Sequence, residues 1–593
     1  MAETSQTNTL QLVNELFESA KQARQKYELR WYLIDNFYEN NHFVKQLNQL
    51  GQLEPVKFPK GVQIRPIPRA KKQIKSMVNM AVANDPRWAA YPRREMYFDS
   101  EGNLIDEKQL EKFSIYMKRI GQWFSDMWSF LDMKDQIRKL VFRAFKYNVA
   151  YAEVGADEKG NIFIDTYEPY DVWHEAGISS LKETSYFIKG VSRTLQYVKT
   201  AKGSDSDFLY DDQKTALLKP ETRLAISEWK NIRLQEQSKG IPKEIKDERI
   251  ARVFLKEVWI KDGSKWKLIT ECQGHILREV DTDFDELPFV AYSPQEGELY
   301  QTSPFEDLIP LNKAVDIMAA LVESYTRTTA IGRMLKPRLS KVSRFLNEQG
   351  EVVEYEGVNP PQWQNTPPLP GSVFNTIQMW VNFMDEIGAA VVSFGKVPKG
   401  IKAAQALESL KNAEFSNMGE SIAQLEKTLE EIGEKILDFA DKYFTEDPIL
   451  IPHIDGNKPD VFKIVSSKSA HAITPADDIV PISSRYMVKV EIESGLSYTE
   501  EGKRDTYMAL ADKGYLPKEI VLEAFKFSNV GEIIEKLNKE KSEKVSIVQT
   551  PEFNTLPPDK RLQILKDLGV EVGEAIPAKV PVAGILGGEI QAE

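Results

Sequence analysis

An α+β fold with unusually long helices is the prediction of this sequence, and three observations make it. Long stretches repeat apolar residues at steps of three and four, the spacing that gives a helix one apolar face. From residue 150 the pattern changes to alternation broken by glycine turns, as in paired strands. After the Ser303-Pro304 pair the helical spacing returns and dominates the rest of the chain. The chain has 593 residues, 42% hydrophobic and 28% charged, the composition of a soluble globular protein. That length exceeds one ordinary core, so roughly two to four lobes are expected.

Residues 8–48 read as a helix rich in charges and aromatics. Residues 55–84 hold seven Lys/Arg and no Asp or Glu, which reads as a solvated basic helix face. Residues 108–148 are helical again. The stretch "AYAEVGADEKGNIFIDTYEPYDVWHE" alternates around Gly155 and Gly160, a hairpin that ends in a Tyr-Glu-Pro-Tyr-Asp turn. Residues 184–193 read as a strand, and 200–250 as a highly charged insertion, helical in part. "ARVFLKEVWIKDGSKWKLITECQGHILREV" supplies two or three more strands, with Asp262-Gly263 as the tight turn.

A long helix over 303–335 starts with Ser303 as N-cap and Pro304 in the first turn. The proline-rich stretch 336–370 holds a short amphipathic helix, a strand pair and an extended run. A helix over 371–393 follows, then the loop "FGKVPKG", then a helix from about 403 to 444. In that helix Phe415, Met418, Ile422, Leu425, Leu429, Ile432, Ile436 and Phe439 make an unbroken seam. A core stripe and a helix lying across neighbouring subunits both produce such a seam. Residues 484–494 alternate as a strand, and the remainder is helical with charged turns, ending in an Ala/Gly/Pro-rich tail.

Little catalytic chemistry is visible. The single cysteine, Cys272, excludes an internal disulfide and any cysteine-based metal site, and fits assembly in a reducing compartment. His42, His174, His275, His453 and His471 have no ligand spacing, so no metal is expected. No HExxH, GxSxG, GxGxxG or GxxxxGK[ST] motif occurs, so neither an enzyme nor a cofactor is expected, nor any nucleotide hydrolysis. No apolar run approaches the roughly 18 residues of a membrane span, and "MAETSQTNTLQLVNELF" lacks the order of a signal peptide. The net charge of −12 argues against wrapping nucleic acid tightly, though not against a passage through which DNA slides.

Five segments, in order, carry a more specific likeness. They are "IRPIPRAKKQIKSMVNMAVANDPRWAAYP", "YNVAYAEVGADEKGNIFIDTYEPYDVWHE", "LPFVAYSPQEGELYQTSPFEDLIPLNKAVDIMAALV", "FGKVPKGIKAAQALESLKNAEF" and "MVKVEIESGLSYTEEGKRDTYMALADKGYLP". Together they cover most of residues 60–530. In that order they resemble the portal proteins, the head-to-tail connectors of tailed double-stranded DNA bacteriophages.

The resemblance implies a portal fold. It expects an N-terminal helical region over 1–99 and an α+β wing over 100–302 that carries the 200–250 insertion. Stem helices at 303–335 and 371–393 flank a clip at 336–370. A tunnel loop at 394–402, a long wing helix at 403–444, wing strands at 445–495 and a crown with tail at 496–593 complete it. The resemblance further implies a homo-oligomeric ring, usually of twelve subunits, at one capsid vertex of the virion, assembled in the host bacterial cytoplasm. Double-stranded DNA passes through its channel during packaging and ejection. The implied partners are the terminase large subunit, head-tail adaptor and tail proteins, and the major capsid protein with its scaffold, without a membrane. A different non-enzymatic head-tail adaptor or structural ring protein is the alternative.

The loop at 394–402 then has a purpose in a mainly acidic chain. Gly395 and Gly400 permit backbone angles that other residues resist, and Pro398 stops either helix from running through. Lys396, Lys399 and Lys402 would touch passing phosphates, while a plain exposed helix connection is the simpler reading. In the clip, Lys336, Arg338, Lys341 and Arg344 with Trp363 suit a docking surface, or Trp363 packs only within its own ring.

Overall fold

The structure, a computed structural model, describes residues 2–43, 63–82, 86–93, 107–156, 161–202, 208–238, 247–330, 368–388, 418–443 and 486–491. It also describes short strands at 46–47, 53–54, 333–335, 362–364, 449–455, 458–466 and 479–482, and Met508. It is a mixed helix and sheet protein, as expected. Met1–His453 with Val461–Glu493 form one compact unit, and Ile454–Asp460 with Ser494–Glu593 a second. Nearly all of the second lies outside the described residues.

Helix α1 spans Ala2–Tyr38. It stops ten residues short of the expected 48 because Asn40 takes a left-handed backbone angle, φ 68°. Strands β1 (Gln46–Leu47) and β2 (Leu53–Glu54) pair antiparallel. Next come α2 (Arg69–Ala81) and β3 (Arg87–Pro92). The helix expected over 108–148 is two, α3 (Glu107–Phe130) and α4 (Met133–Tyr147), broken where Asp132 sits at φ 48°. Asn148, at φ 74°, closes α4 in the left-handed cap that turns the chain into the wing strands.

The expected hairpin is β4 (Ala150–Ala156) and β5 (Ile162–Tyr167), followed by a 3₁₀ turn at Pro169–Asp171. Strands β6 (Val172–His174), β7 (Tyr186–Thr194), β8 (Arg252–Asp262), β9 (Lys265–Cys272) and β10 (His275–Asp281) make one antiparallel sheet, in the order β10-β9-β8-β7-β6. Between β7 and β8 come α5 (Leu195–Thr200), just ahead of the insertion, and within it α6 (Asp212–Thr215) and α7 (Glu228–Ser238). Alternation on β8 sorts its two faces. Val258 shares a core with Val13 and Phe17 of α1, while Val253 and Leu255 share one with Leu195 and Val198 of α5.

Strand β11 (Phe289–Tyr292) joins the edge of β4. Helix α8 covers Pro304–Ala330, not 303–335, because Arg333–Leu335 leave it as strand β12 to pair with β13 (Gln362–Gln364). Ser303 is its N-cap as expected: the Ser303 Oγ accepts from the Glu306 N–H at 3.1 Å. Helix α9 runs Gly371–Ile387 and closes on Gly388, whose N–H returns to the Met384 carbonyl at 2.9 Å, short of the expected 393. Helix α10 spans Gly419–Tyr443, and β14 (Ile449–Asp455), β15 (Lys458–Ser466) and β16 (Ile479–Ile482) follow. The chain then reaches β17 (Tyr486–Glu491), which pairs antiparallel with β3.

The main core gathers α1, α2, α3, α4, α8, α10 and the β4 sheet. Leu425, Leu429, Ile432, Ile436 and Phe439 of α10 and Met418 just before it are buried in it and Ile422 packs against it, so over the described residues the seam is a core stripe of this chain. Phe415 lies outside the described residues.

Candidate assembly site: the helical arm and its root

Helices α8 and α9 pack side by side and run in opposite senses. Two links fix that sense. At one end the β12–β13 ladder joins Ala330 to Gly371 through Met334 paired with Trp363. At the other, α2 binds both helices: the Ala70 N–H donates to Asn312 Oδ1 at 2.9 Å, while Arg69 and Gln73 donate to Asp385. From that root α8 extends for about 25 Å, at roughly 1.5 Å per residue.

The root is built from buried polar groups with satisfied partners. Asn312 and Asp316 have no exposed surface, and they stand one turn apart on α8. Asp316 accepts from the Ile67 N–H at 2.9 Å, from Asn312 Nδ2 at 3.2 Å and meets His42 Nδ1 at 2.5 Å. The His42 ring stacks on Phe37, with centroids 3.8 Å apart. An arm so anchored cannot swing without stripping the buried Asp316 carboxylate of the hydrogen bonds that satisfy it, which is costly.

Beside the root lies a groove of about 610 Å³ between α1 and α8. Ile34, Phe37, Ile309 and Pro310 give it an apolar floor, with Arg30 and Glu306 paired at 2.9 Å on its rim. Burial raises the Asp307 carboxyl and lowers the Lys313 amine there, so both side chains feel a poorly hydrated surface. Pro310 sits inside α8 without an N–H, which leaves the Glu306 carbonyl without its helical donor.

Beneath α1 an ionic cluster ties the insertion to the core. Asp35 receives Tyr147 OH at 2.6 Å, Tyr170 OH at 2.9 Å, Arg233 Nη1 at 2.6 Å and the Lys146 ammonium. Burial, reinforced by the Asp35 charge, raises both tyrosines. Burial would raise Glu168 too, but Lys230 and Arg233 outweigh it and hold that carboxyl at about 2. Arg24, fully buried, donates to the carbonyls of Pro169 at 2.6 Å and Tyr170 at 3.2 Å, and lies 4.1 Å over the Trp173 ring. These charges serve packing: each is spent on a neighbour, and no group of three metal-ligating side chains occurs among the described residues.

The residues singled out for the channel, Lys396, Lys399, Lys402, Gly395, Pro398 and Gly400, lie outside the described residues, as do Lys336, Arg338, Lys341 and Arg344. Trp363 is placed by its backbone, opposite Met334 at the far end of the arm. Asn312, Asp316, Asp385 and Arg233, which hold the arm and the insertion, carry no motif in the sequence. For Asn312, Asp316 and Asp385 the one signal is polarity beside apolar helical neighbours, and Arg233 in the charged insertion has none. Among the described residues no helix is long and apolar enough to cross a membrane. No protein-family model matches the chain, and no curated protein matches it.

Proposed function

We propose that the chain is the subunit of a portal-type ring, a homo-oligomer at one capsid vertex that passes double-stranded DNA and docks the packaging motor and then tail components. The arm is the observation that carries this reading. Residues 371–384 of α9 contain no charged side chain, yet Phe374, Met379 and Phe383 are exposed. An uncharged, outward-facing helix on a rigidly rooted arm is a surface made for another protein surface, because single chains rarely leave such faces to water. The order long helix, strand pair, returning helix agrees with the stem and clip that the five resembling segments imply. The basic loop with Lys396, Lys399 and Lys402 supplies the DNA contacts in this proposal, and Trp363 with Lys336, Arg338, Lys341 and Arg344 the docking surface. The test is negative-stain imaging together with the native mass of the purified chain. Closed rings with a central hole about as wide as duplex DNA are expected; monomers alone refute the proposal.

A further inference from the structure

Helices α2 and α4 pack against each other and hold an uneven share of the chain's charge. Helix α2 carries Arg69, Lys71, Lys72 and Lys75 and no acid. Helix α4 carries Lys134, Arg138, Lys139, Arg143 and Lys146, with Asp135 as its one acid and Asp132 just ahead of it. The chain as a whole stands at −12. Helix α10, by contrast, interleaves its lysines with Glu and Asp, as a solvated face does.

Partners within the chain account for part of this set. Arg69 is spent on Asp385, Lys146 on Asp35, and Arg143 on the Thr166 carbonyl and hydroxyl. Lys139 pairs with Asp135 at 2.5 Å. Lys72, Lys75, Lys134 and Arg138 are exposed. Lys72, Lys75 and Asn79 step by three and four, so they share one face of α2. Arg138 Nη2 donates to Asn79 Oδ1 at 3.2 Å, which carries that face over to α4, where Lys134 stands one turn from Arg138. The row runs for about 10 Å along α2 alone, at roughly 1.5 Å per residue.

We infer that this row is a contact for the phosphate backbone of duplex DNA, in addition to the loop at 394–402. Duplex DNA carries one charge per about 1.7 Å of its axis, so a row of this length faces several phosphates at once. No aromatic side chain of α2 or α4 is exposed, so the row offers no platform on which unpaired bases could stack. That favours a paired duplex over a single strand. A single folded chain presents the row, so the contact does not depend on ring formation.

Fluorescence anisotropy of the full chain with a labelled mixed-sequence duplex of about 20 base pairs, at about 50 to 200 mM salt, tests this. Parent protein is expected to bind with an affinity that falls steeply as salt rises. Lys72→Gln, Lys75→Gln and Arg138→Gln together should weaken binding about tenfold or more at the lowest salt. They should also lower the slope of log affinity against log salt by roughly 2 to 3, with unchanged helical circular dichroism. Lys396→Ala, Lys399→Ala and Lys402→Ala together keep the row's share of that slope. A row variant that binds like the parent overturns the contact. So does a single strand of equal length bound as tightly as the duplex, or parent protein that ignores the duplex but binds polyglutamate. Native mass of the same samples reports the ring separately. Rings without row-dependent binding leave the ring reading standing, and row-dependent binding by monomers removes the ring alone.

Discussion

Asp35 is 1% exposed, and its burial is met by hydroxyls, an ammonium and a guanidinium that converge on its two oxygens. His174 solves the same problem differently. Its Nδ1 lies 2.7 Å from the Glu175 carbonyl, which accepts a proton but has none, so Nδ1–H donates and Nε2 accepts from Tyr151 OH at 2.6 Å. The ring is neutral, and burial holds it at about 4. In the unfolded chain the imidazole titrates near about 6.5. Between those values the unfolded state binds a proton that the folded state refuses, so stability is full above the upper value and falls as pH drops toward the lower. Glu168, held at about 2, adds a loss of the same sign further into acid. At fixed protein concentration, the urea midpoint of the parent is expected to fall from pH 7 to pH 4. His174→Gln removes part of that slope; an unaltered slope would show that His174 is not the group responsible. None of this was legible beforehand, since a lone histidine in sequence gives no sign of whether its ring is buried.

At the scale of elements, α10 shows what a pattern can and cannot say. Its seam was readable from spacing alone, but spacing does not distinguish a chain's own core from a neighbour's surface. The described part resolves that: Leu429 and Ile432 lie in the core, and the Leu429 carbonyl accepts from Trp88 Nε1 at 2.8 Å. Gly433 sets how closely α10 approaches the β3–β17 pair. A Cβ there would stand 2.7 Å from Val488 Cγ1 and 3.2 Å from the Trp88 ring. Gly433→Val should therefore cost about 1–3 kcal/mol by overpacking, read as a lowered urea midpoint. No loss would mean that the helix can back away freely. The insertion shows a different limit. The sequence marks it as highly charged and partly helical, but not that Lys230 and Arg233 of α7 are largely buried against Asp171, Glu168 and Asp35. Composition records how many charges there are, while their partners lie some 60 to 200 residues away in sequence. Helix ends failed for local reasons, at Asn40, Asp132 and the β12 ladder.

For the whole molecule, the α+β class and the order of long helices, sheet and arm could be read before any coordinates, because periodicity is a local property. The proposed ring could not, because it would rest on surfaces whose exposure appears only when the chain is folded, such as the uncharged stretch 371–384 of α9 with Phe374, Met379 and Phe383 exposed. In that proposal the stretch gains by leaving water against another copy, and heterologous contact repeats until the ring closes. The most direct measurement is the native mass of purified full-length protein at micromolar concentration. The account predicts one closed species near twelve times the 67.7 kDa chain, stable to dilution and seen as rings by negative stain. A species of one or two chains at every concentration would contradict it.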